Sequence, residues 1–268
     1  MWIKGLGVLA VAAGSVGGLS GVAYTLLNNQ SRQARTLIGV PRDLPLNADG
    51  VYLPDGTGPV AVSPSAVLTF AIFGDSSAAG LGAETVELLP GVQLAKGLAR
   101  ESGRPVRLIT HAVSGSRTVN LITQVDAALI ERPDVAVIMV GGNDVTAKVR
   151  IDRSASLLAV QVRRLILAGA AVVVGTCPDL GTITPIPQPL RAIVRRWSQT
   201  LARAQRRELS RTSASVVPLG ALLSRQFRSR PDDLFSPDRF HPNGAGYALA
   251  VEVMLAPLCV AVGVRTCR

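Results

Sequence analysis

From Ala66 onward the chain alternates short apolar runs with stretches of helical periodicity. The runs are Val67–Phe73, Val106–Thr110, Val135–Val140, Ala171–Gly175 and Ser215–Val217. Helical patterns lie between them near residues 91–101, 118–131, 154–168 and 189–211, and a last one covers 243–257. The runs are continuous rather than alternating, as in strands covered on both faces. Pro133 and Gly169 stand where helices should stop. This order predicts a doubly wound parallel sheet with helices on both sides. In such a sheet the ligand site lies beyond the carboxyl ends of the strands, so the residues after each run are the candidates for chemistry.

Those residues form four segments. Gly74-Asp75-Ser76-Ser77 follows the first run, and Ala112-Val113-Ser114-Gly115-Ser116 follows the second. Gly141-Gly142-Asn143-Asp144 follows the third, and Ser236-Pro237-Asp238-Arg239-Phe240-His241 precedes the last helix. A serine on a strand-to-helix turn is presented to solvent, with its backbone N–H near a helix start. As a nucleophile it needs a base. Only His111 and His241 are available. Asp238, three residues before His241, is placed to accept from the imidazole and fix its tautomer. Gly115 offers an unobstructed backbone N–H and Asn143 a side-chain amide, the donors that a tetrahedral oxyanion requires. The set describes acyl transfer. Ser76, Asp238 and His241 are the catalytic candidates, and the Ser76 N–H, Gly115 and Asn143 are the oxyanion donors.

These segments resemble the blocks of the SGNH hydrolase superfamily, the GDSL-type esterases and lipases. Gly-Asp-Ser matches Gly74-Asp75-Ser76, the oxyanion glycine matches Gly115, Gly-x-Asn-Asp matches 141–144, and Asp-x-x-His matches Asp238 and His241. The likeness covers roughly residues 66–257. It implies a three-layer α/β/α sandwich with a five-stranded parallel sheet, flavodoxin-like in topology. It implies hydrolysis of carboxylic esters through an acyl-enzyme, without metal or organic cofactor, on a small-molecule or lipid ester. Two alternatives remain: acyl transfer onto a sugar or lipid hydroxyl with the same residues, and a non-catalytic envelope-binding module. Many relatives carry an Asn a few residues before the second-block glycine, where this chain has Thr110 and His111. The first block continues here as Ser77-Ala78-Ala79-Gly80.

The remaining chemistry-bearing residues read as structural. Asp75 caps its turn, Asp144 partners nearby loops, and His111 is an edge histidine. The segment Pro178–Pro189 reads either as a wall or lid of the site or as a plain connection. In the helix over 191–211, Ile193, Val194, Trp197, Leu201 and Ala204 form one stripe, which predicts that Trp197 is core.

Residues 1–27 read as a membrane anchor or signal segment. The run Gly5–Leu27 holds 23 uncharged residues, roughly 34 Å long as a helix at about 1.5 Å per residue. That is long for a signal core, and no good cleavage site follows, which favours an anchor. The similarity to actinobacterial envelope-associated members agrees and puts the hydrolase domain outside the cytoplasm, or free if the segment is cleaved. Residues 28–65, rich in Pro, Gly and Asp, read as linker or ordered loop, and 66–268 as the hydrolase domain.

The formal net charge of +10 is concentrated. Residues 191–230 hold ten Arg and one acid, Glu208, while the rest is near neutral. This is one basic surface, suited to an anionic membrane or envelope surface, or simply a solvated helix face. Aromatics make up 4% of the chain, too few for base stacking, and no nucleic-acid motif occurs. Two His nearly exclude a His-based metal site. Cys259 and Cys267 are near enough in sequence to close a short disulfide loop that leaves Cys177 over, and the lack of a CxxC pair argues against a zinc ribbon.

Overall fold

The computed structural model describes residues 25–34, 36, 45–61 and 66–264. The first 24 residues of the anchor or signal segment, and Cys267 with its proposed disulfide, lie outside the described residues.

The five expected strands form as β2 (Leu68–Gly74), β3 (Val106–Thr110), β4 (Val135–Met139), β5 (Ala171–Gly175) and β6 (Ser215–Val217). They are parallel. A sixth strand, β1 (Gly50–Tyr52), adds antiparallel to β3, so the order is β1-β3-β2-β4-β5-β6. The sheet is thus six-stranded rather than five-stranded, and the extra strand comes from residues expected to be loop. Three residues are too few to show a period. What holds β1 is Asp49, whose carboxylate accepts from the Thr110 N–H (2.9 Å) and hydroxyl (2.7 Å), and the burial of Val51 and Tyr52.

Helices α1 (Ser76–Ala79), α2 (Pro90–Ser102), α3 (Leu121–Glu131), α4 (Gly142–Thr146), α5 (Ile151–Leu167), α6 (Leu190–Leu209), α7 (Leu219–Ser229), α8 (Pro231–Leu234) and α9 (Gly244–Ala261) complete the fold. Successive side chains of β2 enter opposite cores, as a pleated strand demands. Phe70 and Ile72 pack with Leu94 and Leu98 of α2 and Leu258 of α9, whereas Ala71 and Phe73 pack with Leu121, Leu158 and Leu209 from α3, α5 and α6. Burial on both faces explains the continuous apolar runs of β2, β4 and β5, each large side chain contributing about 1.5–3 kcal/mol, whereas β3 exposes Arg107.

From β2 the chain steps to β3 on one side and then crosses to β4 on the other. The carboxyl end of β2 is therefore the switch point where such sheets bind ligands.

In α6 the buried stripe is Val194, Ser198, Leu201, Gln205 and Leu209, while Trp197 is 39% exposed. This corrects the expectation of a core tryptophan. Two polar residues take the inward line because each has a backbone to satisfy. Ser198 Oγ accepts from the Leu180 N–H at 3.2 Å. Gln205 accepts from the Cys177 N–H at 2.8 Å and donates to the Val140 carbonyl at 3.1 Å.

Candidate active site

The turn after β2 is built around Gly74. Its φ is +135°, and a Cβ there would lie 1.8 Å from the Met139 carbonyl oxygen. No other residue fits. Asp75 caps α1 by accepting from the Ser77 N–H at 3.0 Å. Ser76 is then the first residue of α1, where backbone N–H groups have no intrahelical acceptor.

Gln124 of α3 holds this turn from the side. Its Oε1 accepts from the Gly74 N–H (2.9 Å), and its Nε2 donates to the Gly74 carbonyl (2.9 Å) and to Ser116 Oγ (3.2 Å). The β3 loop therefore takes support from Gln124 through Ser116. His111 is an edge histidine, stacked on Phe73 and 3.0 Å from Glu131 Oε2. Asp144 is buried and accepts from the Thr118 N–H at 2.9 Å.

The loop before α9 carries the other half of the site. His241 Nε2 lies 2.9 Å from Ser76 Oγ, and Nδ1 lies 2.6 Å from Asp238 Oδ2. Asp238 Oδ1 accepts from the Ser236 hydroxyl (2.7 Å) and from the N–H groups of Phe240 (2.8 Å) and His241 (2.9 Å). Burial raises this carboxyl, but the bonds from the His241 ring, the two N–H groups and Ser236 hold it well below the usual carboxylate range. Asp238 is thus ionised, Nδ1 carries the imidazole proton, and Nε2 is left to accept from Ser76. Asn243 caps α9 by accepting from the Gly246 N–H at 2.9 Å, which fixes where the loop ends.

Asp75 behaves oppositely. Burial pushes it up to about 6, opposed by the Ser77 N–H and by His241 and reinforced by Asp144.

Ser76, His241 and Asn143 share a cavity of about 120 Å³. Asn143 Nδ2 donates to the Ser116 carbonyl at 3.0 Å. Gly115 sits beside Ser116 with φ +80° and open space around its Cα. It is exposed and does not line the cavity.

Two walls of the cavity are apolar. One is Leu180 and Ile183, in the segment read as wall or connection, which the cavity shows to be a wall. Asp179 ties that wall down. Its buried carboxylate meets Arg228 Nη1 of α7 at 3.1 Å and Arg195 Nε of α6 at 3.5 Å. The other wall is Leu219, Leu223 and Phe227 of α7, a helix the sequence reading missed. Its signal was present, since these three recur at i, i+4 and i+8. Gln124 was also missed. The readable clue was a glutamine inside the buried stripe Leu121, Val125 and Ala128.

The fold is a mixed α/β sandwich with a six-stranded sheet between helices, and its candidate site aligns Ser76, His241 and Asp238. Residues 72–249 match the model of the GDSL-like Lipase/Acylhydrolase family, and the chain belongs to that family. It is similar to a GDSL-like esterase of Mycobacterium tuberculosis, 45% identical over 259 residues, covering 93% of this chain and 82% of the relative. Among solved structures it resembles a variant of an acetyl xylan esterase from Geobacillus stearothermophilus (TM-score 0.59, 18% identity, 75% of this chain and 97% of that one). It also resembles a lipase/acylhydrolase from Enterococcus faecalis (TM-score 0.58, 21% identity, 75% and 100%). At these identities the two structures speak for the fold. The family and the 45% identical esterase make the protein a carboxylic-ester hydrolase.

Proposed function

We propose that the protein hydrolyses carboxylic esters of short to medium acyl chains, of lipid or acylated-sugar type, through an acyl-enzyme on Ser76. The observation that carries this is the unbroken chain Ser76 Oγ–His241–Asp238, with contacts of 2.9 and 2.6 Å. Ser76 Oγ gives its proton to His241 Nε2 as it attacks the ester carbonyl carbon. The carbonyl oxygen becomes an oxyanion, held by the Ser76 N–H and by Asn143 Nδ2, while Gly115, expected as a further donor, lies exposed outside the cavity. Losing one such donor typically costs about 2.7–4 kcal/mol of transition-state stabilisation. The carbon–oxygen bond to the alcohol then breaks, and that oxygen leaves with the proton from His241. Water repeats the sequence, with His241 again the base, and releases the acid and Ser76. Asp238 orients the ring and stabilises its charged form. A sugar or lipid hydroxyl in place of water gives the transferase alternative with the same residues.

The protein would work in the cell envelope, held by residues 1–27 with its hydrolase domain outside the cytoplasm. Support for a surface-facing side comes from α6, where Arg195, Arg196, Arg203, Arg206 and Arg207 are exposed beside Trp197. An anionic membrane or envelope surface suits that face. Reversal of these charges should abolish binding to anionic vesicles, and unchanged binding would remove the idea.

The test of function is turnover of p-nitrophenyl esters from acetyl to palmitoyl, with and without added sugar or glycerol acceptors, beside Ser76→Ala. Hydrolysis that vanishes in Ser76→Ala supports the reading. Acylated acceptor as the main product favours the transferase. A fully active Ser76→Ala would sink both.

A further inference from the structure

Thr176, the residue after β5, lines the catalytic cavity and is 1% exposed. Its backbone is settled, since its N–H donates to the Val217 carbonyl at 3.0 Å. Its hydroxyl is not. Among the described residues, Thr176 Oγ1 is the one buried side-chain oxygen or nitrogen without a hydrogen-bond partner. Two other buried hydroxyls are paired: Thr182 Oγ1 donates to the Asp179 carbonyl at 2.8 Å, and Ser198 Oγ accepts from the Leu180 N–H. The same cavity is lined by the apolar side chains of Met139, Leu180, Leu219, Leu223 and Phe227 and by the polar ones of Ser77, Asn143, Thr182 and Ser224. A valine has the same shape and would fill this place without an unpaired polar atom. An unpartnered hydroxyl on a residue that lines the cavity makes sense when the ligand supplies its partner.

We propose that Thr176 Oγ1 is a specificity-determining contact, and that the part of the ester filling the cavity is an apolar chain carrying an oxygen (a hydroxyl, ether or carbonyl). The inference rests on ester hydrolysis at Ser76. β5 lies two strands from β2, so at about 4.8 Å per strand Thr176 is roughly 10 Å to the side of the turn that carries Ser76. The recognised oxygen therefore lies along the chain and not next to the scissile carbonyl. A site that hydrogen-bonds a substrate oxygen discriminates strongly against the analogue without it, because its own polar group is then left unpaired.

The test walks one ether oxygen through the chain of p-nitrophenyl hexanoate, and separately through hexyl acetate, and measures kcat/KM for each. The first arm reads an acyl chain in the cavity and the second an alcohol chain. The full-length protein should prefer one oxygen position by about tenfold over the all-carbon ester, in one arm. Thr176→Val should erase that preference and raise turnover of the all-carbon ester, while Thr176→Ser should retain it. Equal turnover of all members by the unaltered protein overturns the proposal, whether or not the variants fold. So does a Thr176→Val protein that gains thermal stability but keeps the preference, for the hydroxyl would then be a packing defect. Loss of all ester turnover, with Ser76 unreactive toward a fluorophosphonate, would strike the hydrolase reading itself and the inference with it.

Discussion

Two aspartates lie near the Ser76–His241 contact, and they sit in opposite environments. Asp238, in the loop before α9, gathers three donors on one oxygen and the His241 ring on the other. Asp75, in the turn after β2, is closed off from solvent and takes the Ser77 N–H. The first is held ionised and the second is pushed toward neutrality. The carboxylate in contact with the histidine is the one whose donors hold it ionised. The contrast also separates two ways of holding a loop. The Asp238 loop is organised by its own carboxylate. The Gly74–Ser77 turn is held from outside, by Gln124 on α3.

The largest expected effect lies in activity. Asp238→Asn should lower kcat on p-nitrophenyl acetate by roughly 10³–10⁴, because the amide no longer fixes the productive tautomer. Asp75→Asn should lose less than about tenfold, since the amide oxygen still caps α1. Equal losses in the two variants would erase the contrast.

Next comes the external support. Gln124→Leu strips partners from the buried N–H and carbonyl of Gly74 and from Ser116 Oγ. Urea unfolding should show a loss of about 3 kcal/mol, from the cost of buried groups left unpaired.

Stability against pH sharpens the comparison. The folded value of Asp75, about 6, lies above the unfolded carboxylate value of about 3.9. The folded chain holds the extra proton in that window, so this contribution to stability falls as pH rises from about 4 to 6. Asp75→Asn should remove the decline and be more stable by up to about 3 kcal/mol above pH 6. Asp238 has the opposite sign. Its folded value is depressed, so its stabilisation is present above about pH 3.9 and is lost as pH falls further. A pH series of thermal unfolding reads both.

The smallest effect is Ser236→Ala, which removes one of the donors to Asp238 Oδ1. Acid unfolding should begin at a slightly higher pH, with a loss of about 1 kcal/mol at neutral pH.

Much of the site was legible because its residues stand at element boundaries. Ser76 follows β2, Asn143 follows β4, and Asp238 and His241 precede α9. Continuous apolar runs marked β2, β4 and β5 because both faces of the sheet are covered there, while β3 and β6 were marked by their place between helical stretches. Legibility failed where a residue's role depends on a partner far along the chain. Gln124 and Gln205 look like interruptions of apolar stripes until Gly74, Cys177 and Val140 are seen beside them. The same interruption shifted the reading of α6, where Trp197 appeared to belong to the core and Ser198 did not. Strand β1 was invisible for another reason: three residues carry no period, and its pairing with β3 is secured by Asp49 across 61 positions.

The most direct test is the mass of Ser76 after a fluorophosphonate reaction, followed by peptide mapping in the unaltered protein and in His241→Ala. A single adduct on Ser76, formed rapidly and slowed severely in His241→Ala, is the predicted result. An adduct on another residue, or labelling of Ser76 at the same rate without His241, would contradict an activated Ser76–His241–Asp238 centre.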